Sequence, residues 1–268
     1  MPFKNAIGFF VKPVSGISYD PDLLTYIDGL ITPLSTGNLA LLNTMYIDWK
    51  VGLGEIANVS DADDVMYNLA GETTEISLRN MVRRAHDAIA VNSPVHVPLE
   101  GFQGDGIGSY VDHNYIPNSD RIKFLTTNAS GGVYVRTNFG AGTYTTVVST
   151  RRFQIRKNAA DGSLFAYSIY NNAYAFAGTV GSGYYVANKD GESLYRNGDL
   201  LNLHNSTDQA DDGYKLVSLA MSGAVIPNNY SEAQISFVYL GRTRTAPEIM
   251  SNTNVIEAYM DANERGVI

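Results

Sequence analysis

The chain has 268 residues, 27 Asp and Glu against 19 Lys and Arg, a net charge of -8 and no cysteine. Without Cys it has no disulfide framework, no Cys-ligated zinc or iron–sulfur centre and no thiol nucleophile. The acidic balance also lacks the basic surface that non-specific nucleic-acid binding requires.

Hydrophobic residues make up 44% and charged residues 17%, which is the balance of a folded chain. The 18 Tyr and 25 Gly suit strands, tight turns and polar recognition surfaces. Lys4 and the Lys12-Pro13 pair bracket only a short apolar run, so the N-terminus reads as mature sequence without a secretory signal. No segment approaches the roughly 20 apolar residues of a membrane helix.

In chain order, the first 91 residues read as largely helical. Asp20-Pro21 is an N-cap followed by proline, opening a helix over residues 22–31. A second apolar-periodic stretch covers residues 38–46. Ser60 is placed to cap a helix over residues 61–69, with acids in its first turn and Gly71 past its end. Residues 77–90 read as an amphipathic helix with Leu78, Met81, Val82, Ala85 and Ile89 on one face and Arg79, Arg83 and Arg84 away from it.

After Pro94 short strands alternate with Gly, Asn and Asp turns. Strands are expected over residues 122–127, 133–138, 143–149, 151–156, 163–170, 184–187, 193–196, 215–221 and 234–240, at a spacing suited to a sandwich or barrel. Asn197-Gly198 is the clearest hairpin turn. Thr245-Ala246-Pro247-Glu248 is a capping box that opens a C-terminal helix running to about Asn263.

The Gly101–Gly108 segment has the glycines of a nucleotide loop, but Ser109-Tyr110-Val111-Asp112 alternates like a strand, so a loop or bulge is favoured. His86, His96, His113 and His204 show no metal-ligand spacing. No Gly-x-Ser-x-Gly elbow is present. Glu72 and Glu75, and Asp208, Asp211 and Asp212, are acids without the strand spacing of a glycosidase pair. The acidic stretches 61–64 and 208–212 offer oxygen ligands to calcium but lack the EF-hand pattern, and the first is better explained as a helix N-terminal turn. No cofactor or metal site is assigned. The recognition surface is placed on Tyr167, Tyr170, Asn171, Asn172, Tyr174, Tyr184 and Tyr185, because aromatic rings stack on sugar faces and Asn amides bond hydroxyls. The competing reading is that these tyrosines cover strands or pack at a subunit interface.

Four segments together resemble bacteriophage virion structural proteins carrying a concanavalin A-like or laminin-G-like lectin domain. They are Ile47-Asp48-Trp49-Lys50, the run from Gly101-Phe102 to Ile116-Pro117, Leu194-Tyr195-Arg196-Asn197-Gly198, and Val238-Tyr239-Leu240-Gly241-Arg242 with the helix ending near Tyr259-Met260. The match covers residues 40–268.

The resemblance implies a mainly β fold: an antiparallel jelly-roll sandwich over residues 92–268, preceded by a helical anchoring region at 1–91 and closed by a C-terminal helix. It also implies a virion surface protein of the tail-fibre, tail-tip or head-fibre type, assembled in the host bacterial cytoplasm. Its expected partners are other virion proteins through residues 1–91 and host cell-surface polysaccharide, with a homo-oligomer and neither nucleic acid nor membrane. The first expectation is therefore a non-enzymatic host-attachment protein. The alternatives are a structural decoration or head-fibre protein that binds no glycan, and a polysaccharide-degrading enzyme on the same fold.

Overall fold

The computed structural model describes residues 18–137, 145–150, 153–157, 164–168, 174–176, 181–189, 193–203, 213–223 and 226–267. The helices are α1 (Pro21–Ile27), α2 (Thr36–Gly52), α3 (Thr74–Ser77), α4 (Pro117–Asp120) and α5 (Ala246–Ala262). The strands are β1 (Asp63–Asn68), β2 (Ile89–Val91), β3 (Val95–Val97), β4 (Gly101–Gln103), β5 (Tyr110–Asp112), β6 (Ser130–Val135), β7 (Thr145–Ser149), β8 (Phe153–Lys157), β9 (Leu164–Ser168), β10 (Tyr174–Phe176), β11 (Gly183–Asn188), β12 (Ser193–Arg196), β13 (Asp199–Leu203), β14 (Val217–Ser218) and β15 (Gln234–Gly241).

Among the described residues the strands form two antiparallel sheets. The first has eight strands in the order β13-β12-β11-β6-β15-β4-β3, with β1 also on β15. The second has seven, in the order β10-β9-β8-β7-β14-β5-β2. This is the expected two-sheet sandwich, closed by a C-terminal helix.

Side-chain alternation makes the first sheet the middle of three layers. Val65 and Tyr67 of β1, Val133 and Val135 of β6, Tyr185 and Ala187 of β11, and Val238 and Leu240 of β15 point into the core shared with the second sheet. Their neighbours Met66, Tyr134, Tyr184, Val186, Phe237 and Tyr239 point the other way, against Leu42, Tyr46 and Trp49 of α2 and Ile249, Ile256 and Tyr259 of α5. Trp49 sits 5.4 Å from Phe237 and 5.7 Å from Tyr239, ring centroid to ring centroid.

The helices form where their caps predict. The Asp20 side chain accepts from the Asp22 N–H and Pro21 opens α1. Ser35 caps α2, which runs past both ends of the expected 38–46 stretch. Thr245 and Glu248 cap α5 reciprocally. The β12–β13 hairpin turns at Asn197 (φ 55°) and Gly198 (φ 84°), the left-handed pair that Asn-Gly favours.

Two expected helices are absent. Residues 63–68 are a strand, because Val65, Met66 and Tyr67 are buried on alternate faces between two cores. Asp63 and Asp64 are buried rather than lying in a solvated first turn. Over residues 77–90 only the end of α3, a short 3-10 turn at Arg84–His86 and β2 form. Leu78 packs on the inter-sheet core and Met81 on the helical one, a division that a single helical face would forbid. Residues 122–127 are likewise not a strand; Leu125 and Asn128 form an isolated bridge.

The boundary expected between residues 91 and 92 is also corrected. β1 pairs with β15, and β2 pairs with β5, so residues on both sides of it share both sheets.

Candidate functional site: an open groove on the second sheet

The outer face of the second sheet carries a groove of about 610 Å³, lined in part by Tyr110, Asp112, Tyr214, Lys215, Ser222 and Pro227. That size is in the range of small-molecule sites. Alternation places these groups. On β5, Val111 enters the core while Tyr110 and Asp112 remain partly exposed. Across the pairing, Leu216 and Ser218 are fully buried, whereas Lys215 is exposed and Val217 lines the groove.

Lys215 Nζ donates to Asp112 Oδ2 at 2.8 Å, with side chains 46% and 14% exposed. Asp112 Oδ1 accepts from the Asn114 N–H at 2.8 Å, which fixes the carboxylate plane. Tyr110 stands 6.3 Å from Tyr230. Burial, then the nearby Asp112 carboxylate, raises the Tyr110 hydroxyl above its ordinary pKa.

The glycine-rich segment before β5 fixes this face and is not a phosphate loop. One oxygen of Asp105 accepts the N–H groups of Ile107, Gly108 and Ser109, each at 2.9 Å. Those three bonds hold the Asp105 carboxyl well below the usual carboxylate range. The backbone donors that would cradle an anion already hold the chain's own carboxylate.

The expected recognition cluster is divided. Tyr167 lies on β9 and Tyr174 on β10, the far end of the second sheet from the groove, and their side chains are outside the described residues. Tyr170, Asn171 and Asn172 also lie outside the described residues. Tyr184 and Tyr185 belong to β11 of the other sheet and are fully buried, which corrects their placement on a recognition surface. Tyr184 faces the helical layer beside Phe237. Tyr185 lies in the inter-sheet core and donates to the Gly181 carbonyl at 2.7 Å. Both faces of β11 are covered, so neither ring meets solvent.

The other candidate acids and histidines have structural partners. Glu72 accepts from the Ser35 N–H and hydroxyl, and Glu75 from the N–H groups of Ile31 and Thr32 and from Arg79. Asp61 completes a capping box with Asn58. Asp64 accepts from the N–H groups of Ile122, Lys123 and Phe124 and from the Tyr115 hydroxyl. Asp63, the Trp49 indole and Arg244 form a buried charged knot.

His113 and Ser218 are 2.7 Å apart and both fully buried, and burial lowers the imidazole to about 3. His96 meets Ser77 at 2.9 Å, but Ser77 is fully buried and also accepts from the Gly71 N–H. His86 Nδ1 lies 2.9 Å from the Asn114 carbonyl. His204 and residues 208–212 lie outside the described residues. Among the described residues no group of three or more His, Asp or Glu could hold a metal ion, and no helix is long and apolar enough to cross a membrane.

Tyr110, Tyr214 and Lys215 carry no role in the sequence reading, where Asp112 stands only beside Glu72 and Glu75 as an acid that tests the polysaccharide-degrading alternative. The signal was present as two short alternations, Tyr110-Val111-Asp112 and Lys215-Leu216-Val217, but their pairing across 103 residues was not legible.

No known protein family matches the sequence, and no curated protein does. Solved structures do match in fold. A mutant of Trypanosoma rangeli sialidase displaying trans-sialidase activity is similar at TM-score 0.54 and 13% identity, over 87% of this chain and 40% of that one. The same organism's sialidase in complex with 2,3-difluoro-KDN gives 0.50 and 14%, over 86% and 40%. The receptor binding domain of botulinum neurotoxin D gives 0.48 and 12%, over 74% and 53%. The chain thus spans about 40% of the length of the sialidase chains it matches. The two sialidase similarities correct the expectation of a non-enzyme: the sandwich is shared with sialidase chains, so the fold gives no ground for setting enzymes aside.

Proposed function

We propose that this protein is a glycan-binding sandwich module that attaches a bacteriophage particle to host-surface polysaccharide. The observation that carries the glycan reading is the groove, where partly exposed Tyr110 and Tyr214 flank a fixed Asp112–Lys215 pair. Aromatic faces and a few oriented polar groups are what sugar recognition requires. The virion setting rests on the sequence resemblance. Contact with other virion proteins is assigned to residues 1–91, where Ile47 and Val51, one turn apart on α2, are exposed. A homo-oligomer on the particle surface would raise a modest affinity per site through avidity.

The test is saturable binding of labelled full-length protein to candidate host cells, with soluble capsule polysaccharide as competitor. Wild-type binding should be displaced by the polysaccharide and lost in Tyr214→Ala. Binding that survives both treatments would remove the groove from the account. Absence of binding by a confirmed oligomer would favour the decoration reading.

A further inference from the structure

We infer that the groove accepts an uncharged sugar through two adjacent hydroxyls bridged by Asp112 and Lys215, and discriminates against acidic sugars. This rests on the reading of the groove as the glycan site and adds the class of sugar. The carboxylate oxygen and the ammonium nitrogen stand 2.8 Å apart, a pure acceptor beside a pure donor. Neighbouring hydroxyls of a pyranose can give to one and take from the other at once. Each such bond is charge-assisted and hence stronger than a neutral one.

Asp112 is held by the Asn114 N–H, so its carboxylate is oriented before ligand arrives. A carboxylated sugar meets the opposite situation. The cation it needs is already neutralised by Asp112, which repels a second carboxylate, and among the described residues Asp112 and Lys215 are the charged groups lining the groove. The chain's net charge of -8 adds long-range repulsion against a polyanionic polysaccharide. The preference therefore differs from what the similarity to sialidases would suggest.

Surface-immobilised full-length protein should be titrated with two neutral polysaccharides, dextran and mannan, and two acidic ones, polysialic acid and alginate. Wild type, Asp112→Asn and Lys215→Met should be compared, with unfolding midpoints recorded to establish that each is folded. Wild type should bind at least one neutral polymer about tenfold tighter than either acidic one, and each variant should lose about tenfold in that binding. Asp112→Asn should also gain affinity for the acidic polymers, since Lys215 is then unpaired; a merely structural role for Asp112 would not produce that gain.

Tighter wild-type binding of an acidic polymer, abolished by Lys215→Met, would overturn the neutral-sugar assignment and leave the glycan site standing. Binding of no polymer, or binding that neither variant alters, would overturn both.

Discussion

The first and second sheets pack on the same core yet treat the same residue types in opposite ways. In the first sheet β1, β6, β11 and β15 are buried along their whole length, because the second sheet covers one face and α2 and α5 the other. In the second sheet β5 buries only its middle residue and β2 leaves Ile89 exposed. A tyrosine on the first sheet is therefore core, as at positions 134, 184 and 239. On the outer face of the second sheet it is a wall of a groove, as at Tyr110. Exposure follows from the layer that covers a strand, and a local cluster of tyrosines does not reveal which layer that is.

The contrast can be broken most directly at Arg244. It is fully buried against Asp63, where the Trp49 indole also donates at 3.0 Å, and ties the loop after β15 to β1 and α2. Arg244→Leu leaves the carboxylate buried without its cation and should cost about 3–5 kcal/mol in urea unfolding. A loss under about 1 kcal/mol would mean that the helical layer does not depend on this knot. Tyr184→Ala opens a cavity in the core between the first sheet and the helical layer and should cost about 3–4 kcal/mol by the same measurement. A surface-like effect there would contradict its burial.

His113 sharpens the comparison through pH. Burial lowers it from 6.5 to about 3, so the unfolded chain takes up this proton first as pH falls. Its contribution is complete above pH 6.5 and declines towards pH 3, by at most about 1.4 kcal/mol per pH unit. Urea midpoints between pH 7 and pH 4 should fall less steeply for His113→Gln than for wild type. Equal slopes would show that the imidazole is not the titrating group.

Two smaller effects complete the series. Asn197→Ala forces a less tolerant residue into a left-handed turn and should cost about 1 kcal/mol. Tyr214→Ala, on the open groove, should stay within about 0.5 kcal/mol of wild type while changing glycan binding. A larger drop in the unfolding midpoint would make Tyr214 part of the fold instead.

Much of the framework was legible because it is written locally. The Thr245–Glu248 capping box, the Asn197-Gly198 turn and the strands at 193–196 and 234–241 depend on neighbours within a few residues. What failed depends on distant partners. Arg79, read as the polar face of a helix, instead donates to the carbonyls of Tyr26, Asp28 and Gly29, at the end of α1 and just beyond it. Asp63 and Asp64 resembled first-turn acids, yet their partners are Arg244 and the backbone of residues 122–124.

The sequence alone determined a chain of short strands and tight turns, suited to a sandwich or barrel, with its closing helix, since caps, turns and alternation act over a few residues of chain. Only the tertiary structure decided that a helical layer covers the first sheet and not the groove, and therefore which tyrosines can meet a ligand. Burial on both faces erases the polar alternation that marks a strand's outer side, and the Asp112–Lys215 pair exists only after β5 and β14 are brought together.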